Sequence, residues 1–347
     1  MTGSIEDLQR HALHTIPGFR APRPGIQIGS YVSHPAKDED LQLLQQLAVD
    51  WAMVVVDDPA QHTAESYRLI QQRLTPYGLQ IYRIANHNVH NVEEITLNLP
   101  GRDNKVAEFL TFIRNLGAAG IHYNTYAHMA NGIWSTGSTL GRGGVEARTM
   151  DLATARGQWN GKEYSGELTH GRVYSEEELW DNFEHFIRKV APVAEAAGVY
   201  IGIHPDDPPV YALGGVPRCI FGTFEGYKRA IEIADSPNIG VCLCVGCWLE
   251  GGAAMGCDVV EVIRYFGGLG KLFKVHFRNV SNPLPAPWRE TFIDDGYMDM
   301  NKVMRALQDV GYDGCIIPDH IPAMAGGPGT GLAYSIAYMR ALVQAAV

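Results

Sequence analysis

The sequence alternates between two periods. Short runs rich in branched and aromatic residues, at 25–32, 51–56, 79–85, 120–127, 199–205, 239–246, 272–280 and 314–320, read as strands. Each is followed by a segment of helical period, at 37–48, 63–74, 105–116, 176–197, 223–234, 258–266, 301–310 and 332–346. Gly78, Gly120 and Gly198 close helices just before strands, where a left-handed cap turns the chain back. Eight β-then-α units suit a closed barrel better than a doubly wound sheet, and no glycine-rich dinucleotide fingerprint follows the first strand. The expected fold is therefore α/β, a (β/α)8 TIM barrel forming one domain over 25–347, with an N-terminal arm over 1–24. The largest break in the rhythm, about 129–172, is an insertion after strand four. On a barrel it lies on the catalytic face, and its Gly, Thr, Ser and Trp content predicts an irregular lid or binding loop.

Charge narrows the range of partners. Asp and Glu number 38 against 28 Lys and Arg, and no dense basic run occurs, which argues against nucleic acid or an anionic membrane surface. No stretch reaches the roughly 18–20 apolar residues that cross a bilayer, and the first 24 residues lack a signal-peptide core, so a cytoplasmic location is expected. A small-molecule substrate fits this balance. The oligomeric state, a homo-oligomer included, is left open by the sequence. The cysteines, at 219, 242, 244, 247, 257 and 315, read as core residues or metal ligands rather than disulfides. Cys244 and Cys247 have C-x-x-C spacing, but a structural zinc would need a second ligand pair that the chain lacks.

If the barrel forms, its chemistry sits where strands end. Strand five ends in Ile203-His204-Pro205-Asp206-Asp207-Pro208-Pro209, strand six carries Cys242 and Cys244, strand seven holds Val275-His276-Phe277-Arg278, and strand eight ends in Pro318-Asp319-His320. Four adjacent strands thus each offer a metal-ligating side chain. A mixed N/S/O set suits Fe2+, Mn2+, Co2+ or Zn2+ rather than Mg2+ or Ca2+. Alternation along strand six puts Cys244 nearer the carboxyl end and leaves Cys242 deeper in the core, with Cys247 past Gly246 in the loop. His320, beside Asp319, is a candidate general acid or base. Asn86, His87, His122, Asn124 and His128 stand at or near other strand ends as candidate pocket residues. Asp206 and Asp207 read either as paired carboxylates or as a rigid proline-flanked turn, and Arg278 can pair with either of them.

At these residues the chain resembles mannonate dehydratase, a family within the xylose-isomerase-like barrels. The string His204-Pro205-Asp206-Asp207-Pro208-Pro209, the Cys244 strand, His276-Phe277-Arg278, and Pro318-Asp319-His320 followed by Tyr334 carry the likeness over about residues 199–346. It continues more weakly through Arg102-Asp103, Ile113-Arg114-Asn115-Leu116-Gly117 and Tyr123-Asn124. The resemblance implies a (β/α)8 fold, Mn2+ or Fe2+ ranked ahead of Zn2+ or Co2+, and dehydration of D-mannonate to 2-dehydro-3-deoxy-D-gluconate. It also implies that His204, Cys244, His276 and Asp319 hold the metal, the four that strand position selects. His320 and Tyr334 match catalytic positions, and Arg278 matches one suited to a sugar-acid carboxylate. His87, Asn124 and Asp206 complete the expected substrate contacts.

Two stretches depart from the family. The first strand reads Gln27-Ile28-Gly29-Ser30-Tyr31 where the family has a Trp-Tyr-Gly string, and Ala127-His128-Met129-Ala130-Asn131-Gly132-Ile133-Trp134 replaces an Asp-Trp-Thr-Arg-like stretch. Both fall where substrate is recognised, and neither touches the expected ligands. A related barrel lyase, isomerase or epimerase acting on another polyhydroxy acid or modified sugar is the alternative reading.

Overall fold

The protein is described here by a computed structural model covering residues 10–345. Its centre is a parallel barrel of β1 (Gln27–His34), β2 (Trp51–Val56), β3 (Gln80–Ala85), β4 (Tyr123–Ala127), β5 (Tyr200–His204), β6 (Ile239–Cys244), β7 (Leu272–His276) and β8 (Cys315–Ile317). The hydrogen-bonded order runs β3-β2-β1-β8-β7-β6-β5-β4. The seam between β3 and β4 has no ladder among the described residues, and the Tyr82 and Tyr123 rings, 5.0 Å apart, span it instead. Outside lie α1 (Asp38–Gln46), α2 (Ala64–Leu74), α3 (Arg102–Ala118), α4 (Glu176–Ala197), α5 (Phe224–Ala234), α6 (Val259–Gly268), α7 (Met300–Asp309) and α8 (Pro328–Ala345).

Local chemistry sets these boundaries. Ser175 and Glu178 form a reciprocal capping box at the start of α4, and Gly198 closes it at φ 62°. Gly78 and Gly120, both at φ 75°, turn the chain into β3 and toward β4 as the sequence predicts. The last expected helix, 332–346, forms within α8, although residue 346 lies outside the described residues. Among the described residues no helix is long and apolar enough to cross a membrane.

Two expectations change. Of the arm over 1–24, the first nine residues lie outside the described residues, but the remainder is a hairpin pairing His11–Ala12 with Arg20–Ala21. It plugs the lower end of the barrel, where Phe19 packs 4.9 Å from both Trp51 and Tyr82 and the Asp313 carboxylate accepts from the His14 and Thr15 amides. Apolar Leu13, Ile16 and Phe19 are all buried there, which is why this proline-rich segment orders.

The insertion is not irregular either. Ile133–Ser135, Arg156–Trp159 and Lys162–Tyr164 make one antiparallel sheet. Gly137–Leu140 and Glu146–Met150 make another, completed by Trp288–Arg289 from the loop after β7. Turn glycines at positive φ, such as Gly137 and Gly161, mark the hairpins rather than disorder. On one side the insertion is clasped by Glu93, whose carboxylate accepts from Lys162 at 2.6 Å, Tyr164 at 3.0 Å and His170 at 3.1 Å.

The hydrogen bond from His170, with further bonds and charge from Lys162 and Tyr164, overrides burial and takes the Glu93 carboxyl from 4.5 down to about 2. A depressed carboxylate stabilises the folded form above its ordinary value and loses that contribution as pH falls toward the folded one. Amide exchange of residues 156–164, corrected for its intrinsic rate, is therefore expected to accelerate between about pH 4.5 and pH 2. In Glu93→Gln it should already be fast at pH 7, and equal protection in both proteins would refute the clasp.

Candidate metal centre and active site

The carboxyl ends of β5, β6 and β7 converge. Donor atoms of His204, Cys244 and His276 all lie within 4.8 Å of one another, and the two imidazole centroids are 4.9 Å apart. Asp319, just past β8, places Oδ2 3.5 Å from His276 Nδ1 and 3.9 Å from Cys244 Sγ. Registers β5–β6 and β6–β7 keep these ends level, with Cys244 paired directly to His276.

Each donor is oriented from behind. His204 Nδ1 is engaged with the Pro205 carbonyl at 2.6 Å, which leaves Nε2 free. His276 Nε2 lies 3.7 Å from Cys242 Sγ, whereas its buried Nδ1, on the side of Asp319, has no hydrogen-bond partner. Cys242, expected as a plain core residue, thus supports a ligand. Cys244 caps the short helix Val245–Gly251 by accepting from the Cys247 amide. Burial raises the Cys244 thiol, but a hydrogen bond from the Cys247 thiol, the charge of Arg278 and the two histidines outweigh it and hold the group well below its ordinary value. A thiolate, two imidazoles and an adjoining carboxylate, with one buried nitrogen left unpaired, fit a divalent metal.

His204, His276 and Asp319 line a cavity of about 190 Å³ together with Tyr31, Arg83, His87, His90, Asn91, Thr125, Met129, Trp159, Asp207 and His320, with Cys244 buried behind them. A larger depression, about 760 Å³, lies at the opposite end of the barrel around Trp51 and Gln80. Its charged lining groups are Arg10, Arg20, Arg23 and Asp50, of which Asp50 is already paired with Arg23.

Beneath the donors lies a charge cluster of which sequence reading reached only the Arg278–Asp207 pair. Arg278, 1% exposed, reaches Glu290 at 2.6 Å, Glu250 at 2.8 Å, Asp207 at 3.4 Å and Asp319 at 3.6 Å. Arg148, from the insertion, meets Glu290 at 2.7 Å and Asp207 at 3.0 Å. Burial raises Asp207, but the two guanidiniums bring it down to about 2. Glu250, fully buried beside Asp207, is pushed up by its burial. His320 sits at φ 48°, a conformation uncommon for a side chain of its kind, and its Nδ1 donates to Glu290 at 2.5 Å. Burial lowers His320, yet Asp319 and Glu290 raise it overall. Arg148, Glu250 and Glu290 follow no periodic pattern, so only the tertiary fold reveals them.

Of the expected substrate contacts, His87 lines the cavity and three do not. Arg278 is consumed by its carboxylates. Asn124 shares strand parity with Tyr126, which stacks on Phe186 of α4, and so faces the helix layer while Thr125 and Ala127 face the cavity. Asp206 is buried against Arg218, and burial takes its carboxyl up to about 7. Tyr334, the expected catalytic partner of His320, stands instead beside Phe292, its hydroxyl accepting from Arg142 at 3.4 Å.

The assembly is an eight-stranded parallel α/β barrel whose strand ends gather side chains able to hold a metal ion. The model of the D-mannonate dehydratase (UxuA) family matches residues 161–347. Mannonate dehydratase 2 of Halalkalibacterium halodurans is 28% identical over 77% of this chain and 82% of its own. The mannonate dehydratase of Streptococcus agalactiae is 30% identical over 82% and 86%. A crystal structure of mannonate dehydratase from Streptococcus suis serotype 2 superposes with a TM-score of 0.80 at 26% identity, covering 93% of this chain and 94% of that one. The chain belongs to the D-mannonate dehydratase family, and its members are hydro-lyases.

Cys244→Ala and His276→Ala are expected to remain folded by circular dichroism while weakening Mn2+ binding by two orders of magnitude or more, roughly the energy of a lost ligand. Burial lowers His276, but Cys242 and Asp319 raise it well above its ordinary value, so protons compete for the same nitrogen. Calorimetry should find tighter binding at pH 8 than at pH 6, with proton release; unfolding on metal removal would instead mark a structural site.

Proposed function

We propose that the protein dehydrates D-mannonate to 2-dehydro-3-deoxy-D-gluconate, using Mn2+ or Fe2+ held by His204, Cys244, His276 and Asp319. The observation that carries this is the His204–Cys244–His276 donor triangle opening onto the same small cavity as His320. Family membership supplies the reaction class, and the names of the relatives supply the sugar acid.

The reaction removes the proton on C2, next to the carboxylate, and the hydroxyl on C3. The hydroxyl departs as water once protonated, and the resulting enol becomes the 2-keto acid. When bound, the cation supplies positive charge where the anion next to the carboxylate develops. His320 is placed for the proton transfers. With Nδ1 committed to Glu290, its Nε2 is the atom left to exchange a proton with substrate. Glu290 also receives Arg148 and Arg278, so the tautomer and aim of His320 depend on that ion cluster. Tyr31, on β1, lines the cavity, which Tyr334 does not. It stands in the strand that departs from the family pattern. Trp159, 5.6 Å from the His87 ring, brings the insertion over the cavity and restricts water.

The test is anaerobic turnover of D-mannonate by protein stripped of metal and refilled with Mn2+, Fe2+ or Zn2+, following the 2-keto acid. Metal-dependent turnover is expected with Mn2+ or Fe2+, falling by about 10²–10⁴-fold in His320→Ala. Absence of turnover with every metal, despite stoichiometric binding, would overturn the assignment. Arg148→Ala, which removes an ion-pair partner of Asp207 and of Glu290 and so loosens the support of His320, should lower kcat by about 10–100-fold with metal content unchanged. An unaltered kcat would separate the insertion from catalysis.

A further inference from the structure

Buried cations in this protein come with acids. Arg148 and Arg278 share Asp207, Glu250 and Glu290, and Arg218 reaches Asp206. Among the described residues two buried cations break the rule. Lys274 is fully buried with an unpartnered Nζ lying 5.7 Å from the Tyr31 ring centroid. Arg83 is 6% exposed, lines the cavity, and has a buried Nε without a partner. Among the described residues Arg83 forms no ion pair with a carboxylate, and its charge is felt by Tyr31, His87, His90 and Lys274 around the cavity; an acid beside these, Asp57, is 3.8 Å from His87.

Arg83 is aimed into the cavity by an irregularity. The β2–β3 ladder pairs Ala52 with Ile81 and Met53 with Arg83, skipping Tyr82. This bulge breaks the alternation of the strand, so Tyr82 turns into the lower barrel against Trp51 and Tyr123 while Arg83, the next residue, also turns inward. Bulges that re-aim a side chain are common beside active sites. An uncompensated buried guanidinium disfavours the empty fold, and such local conflict is tolerated where a guest completes it.

We propose that Arg83 receives the carboxylate of the sugar acid, the role that Arg278 cannot perform because its own acids occupy it. The planar fork of an arginine matches a carboxylate in two parallel hydrogen bonds. Lys274 adds positive charge below, and His87 and His90 flank the fork. The carboxylate is thereby held on the β1–β3 side of the cavity, and the carbons next to it extend toward His204, His276 and His320. The identity of the acid rests on the dehydratase reading; the anion site does not.

The experiment compares Mn2+-loaded wild type with Arg83→Met and Arg83→Lys, using D-gluconate and D-glucitol, which share a carbon skeleton and differ at the carboxylate. Wild type is expected to bind the acid over the polyol by roughly 10- to 100-fold in calorimetry. Arg83→Met should abolish that preference, and Arg83→Lys should restore part of it. The thermal midpoint of ligand-free Arg83→Met should be unchanged or higher, since no ion pair is lost; Arg83→Gln gives the same comparison if the methionine variant does not fold. For D-mannonate, KM should rise by a similar factor with kcat altered far less. A preserved acid preference in Arg83→Met, a wild type with no preference, or a marked drop in midpoint in both variants would overturn the proposal. Loss of the preference in a protein that never turns over D-mannonate would uphold Arg83 and overturn the mannonate assignment alone.

Discussion

The guanidinium of Arg278 is the point through which the parts of this site are connected. It sits under the metal donors, 3.6 Å from both Cys244 Sγ and Asp319, and donates to Cys247 Sγ at 3.2 Å. Through Nη1 it binds Glu290, which holds His320, and the Nη2 that meets the thiols also meets Glu250 and Asp207, which with Glu290 hold Arg148 from the insertion. Room for it comes from Gly246, where any Cβ would collide with the guanidinium itself. The charge arithmetic is close to neutral. Asp207 and Glu290 are held low and balance two guanidiniums, while burial raises Glu250. Removing one member would leave another buried without a counter-charge, the case in which ion pairs matter most.

That cluster explains how an insertion becomes part of an active site. Main-chain pairing of Trp288–Arg289 with Thr149 and Met150 joins the insertion to the loop after β7, and Arg148 stacks over Trp288 at 5.0 Å. Glu93 fastens the far sheet. The segment is therefore held from two sides around the cavity rather than hinged on one. Its Trp159 and Met129 line the cavity, so substrate recognition and support of His320 come from the same ordered unit.

The barrel was readable because its signals are local. Strand and helix periods, the Ser175–Glu178 box and the glycine caps placed the elements to within a few residues, and α4 falls on 176–197 as read. Strand-end logic likewise reached His204, Cys244, His276 and Asp319, since side chains at adjacent strand termini must meet. What stayed hidden depends on contacts between distant segments. No periodicity distinguishes Arg148 or Glu290 from ordinary surface charges. Alternation assigns Tyr82 and Arg83 to opposite faces, and only the bulge puts both inside. The same happens on β7, where the ladder skips Phe273 and brings it in beside Lys274. Tyr334 lies outside the cavity lining, beside Phe292 and Arg142, a placement that position along a helix does not reveal.

The cavity is chemically two-sided, and the two sides answer to different constraints. On the β5–β8 side, donors, supporting groups and His320 are linked through Arg278, so a change at one member disturbs several others. On the β1–β3 side, Tyr31, Arg83, His87 and His90 are joined to that cluster by no ion pair among the described residues. A substitution there alters what is bound without unsettling how the metal is held. Both stretches that read as departures from the family, Gln27-Ile28-Gly29-Ser30-Tyr31 and Ala127–Trp134, reach the cavity, through Tyr31 and through Ala127, Met129 and Ile133. Separation of a coupled chemical half from a loosely coupled recognition half is the physical condition under which a barrel keeps its reaction while its preference among sugar acids shifts.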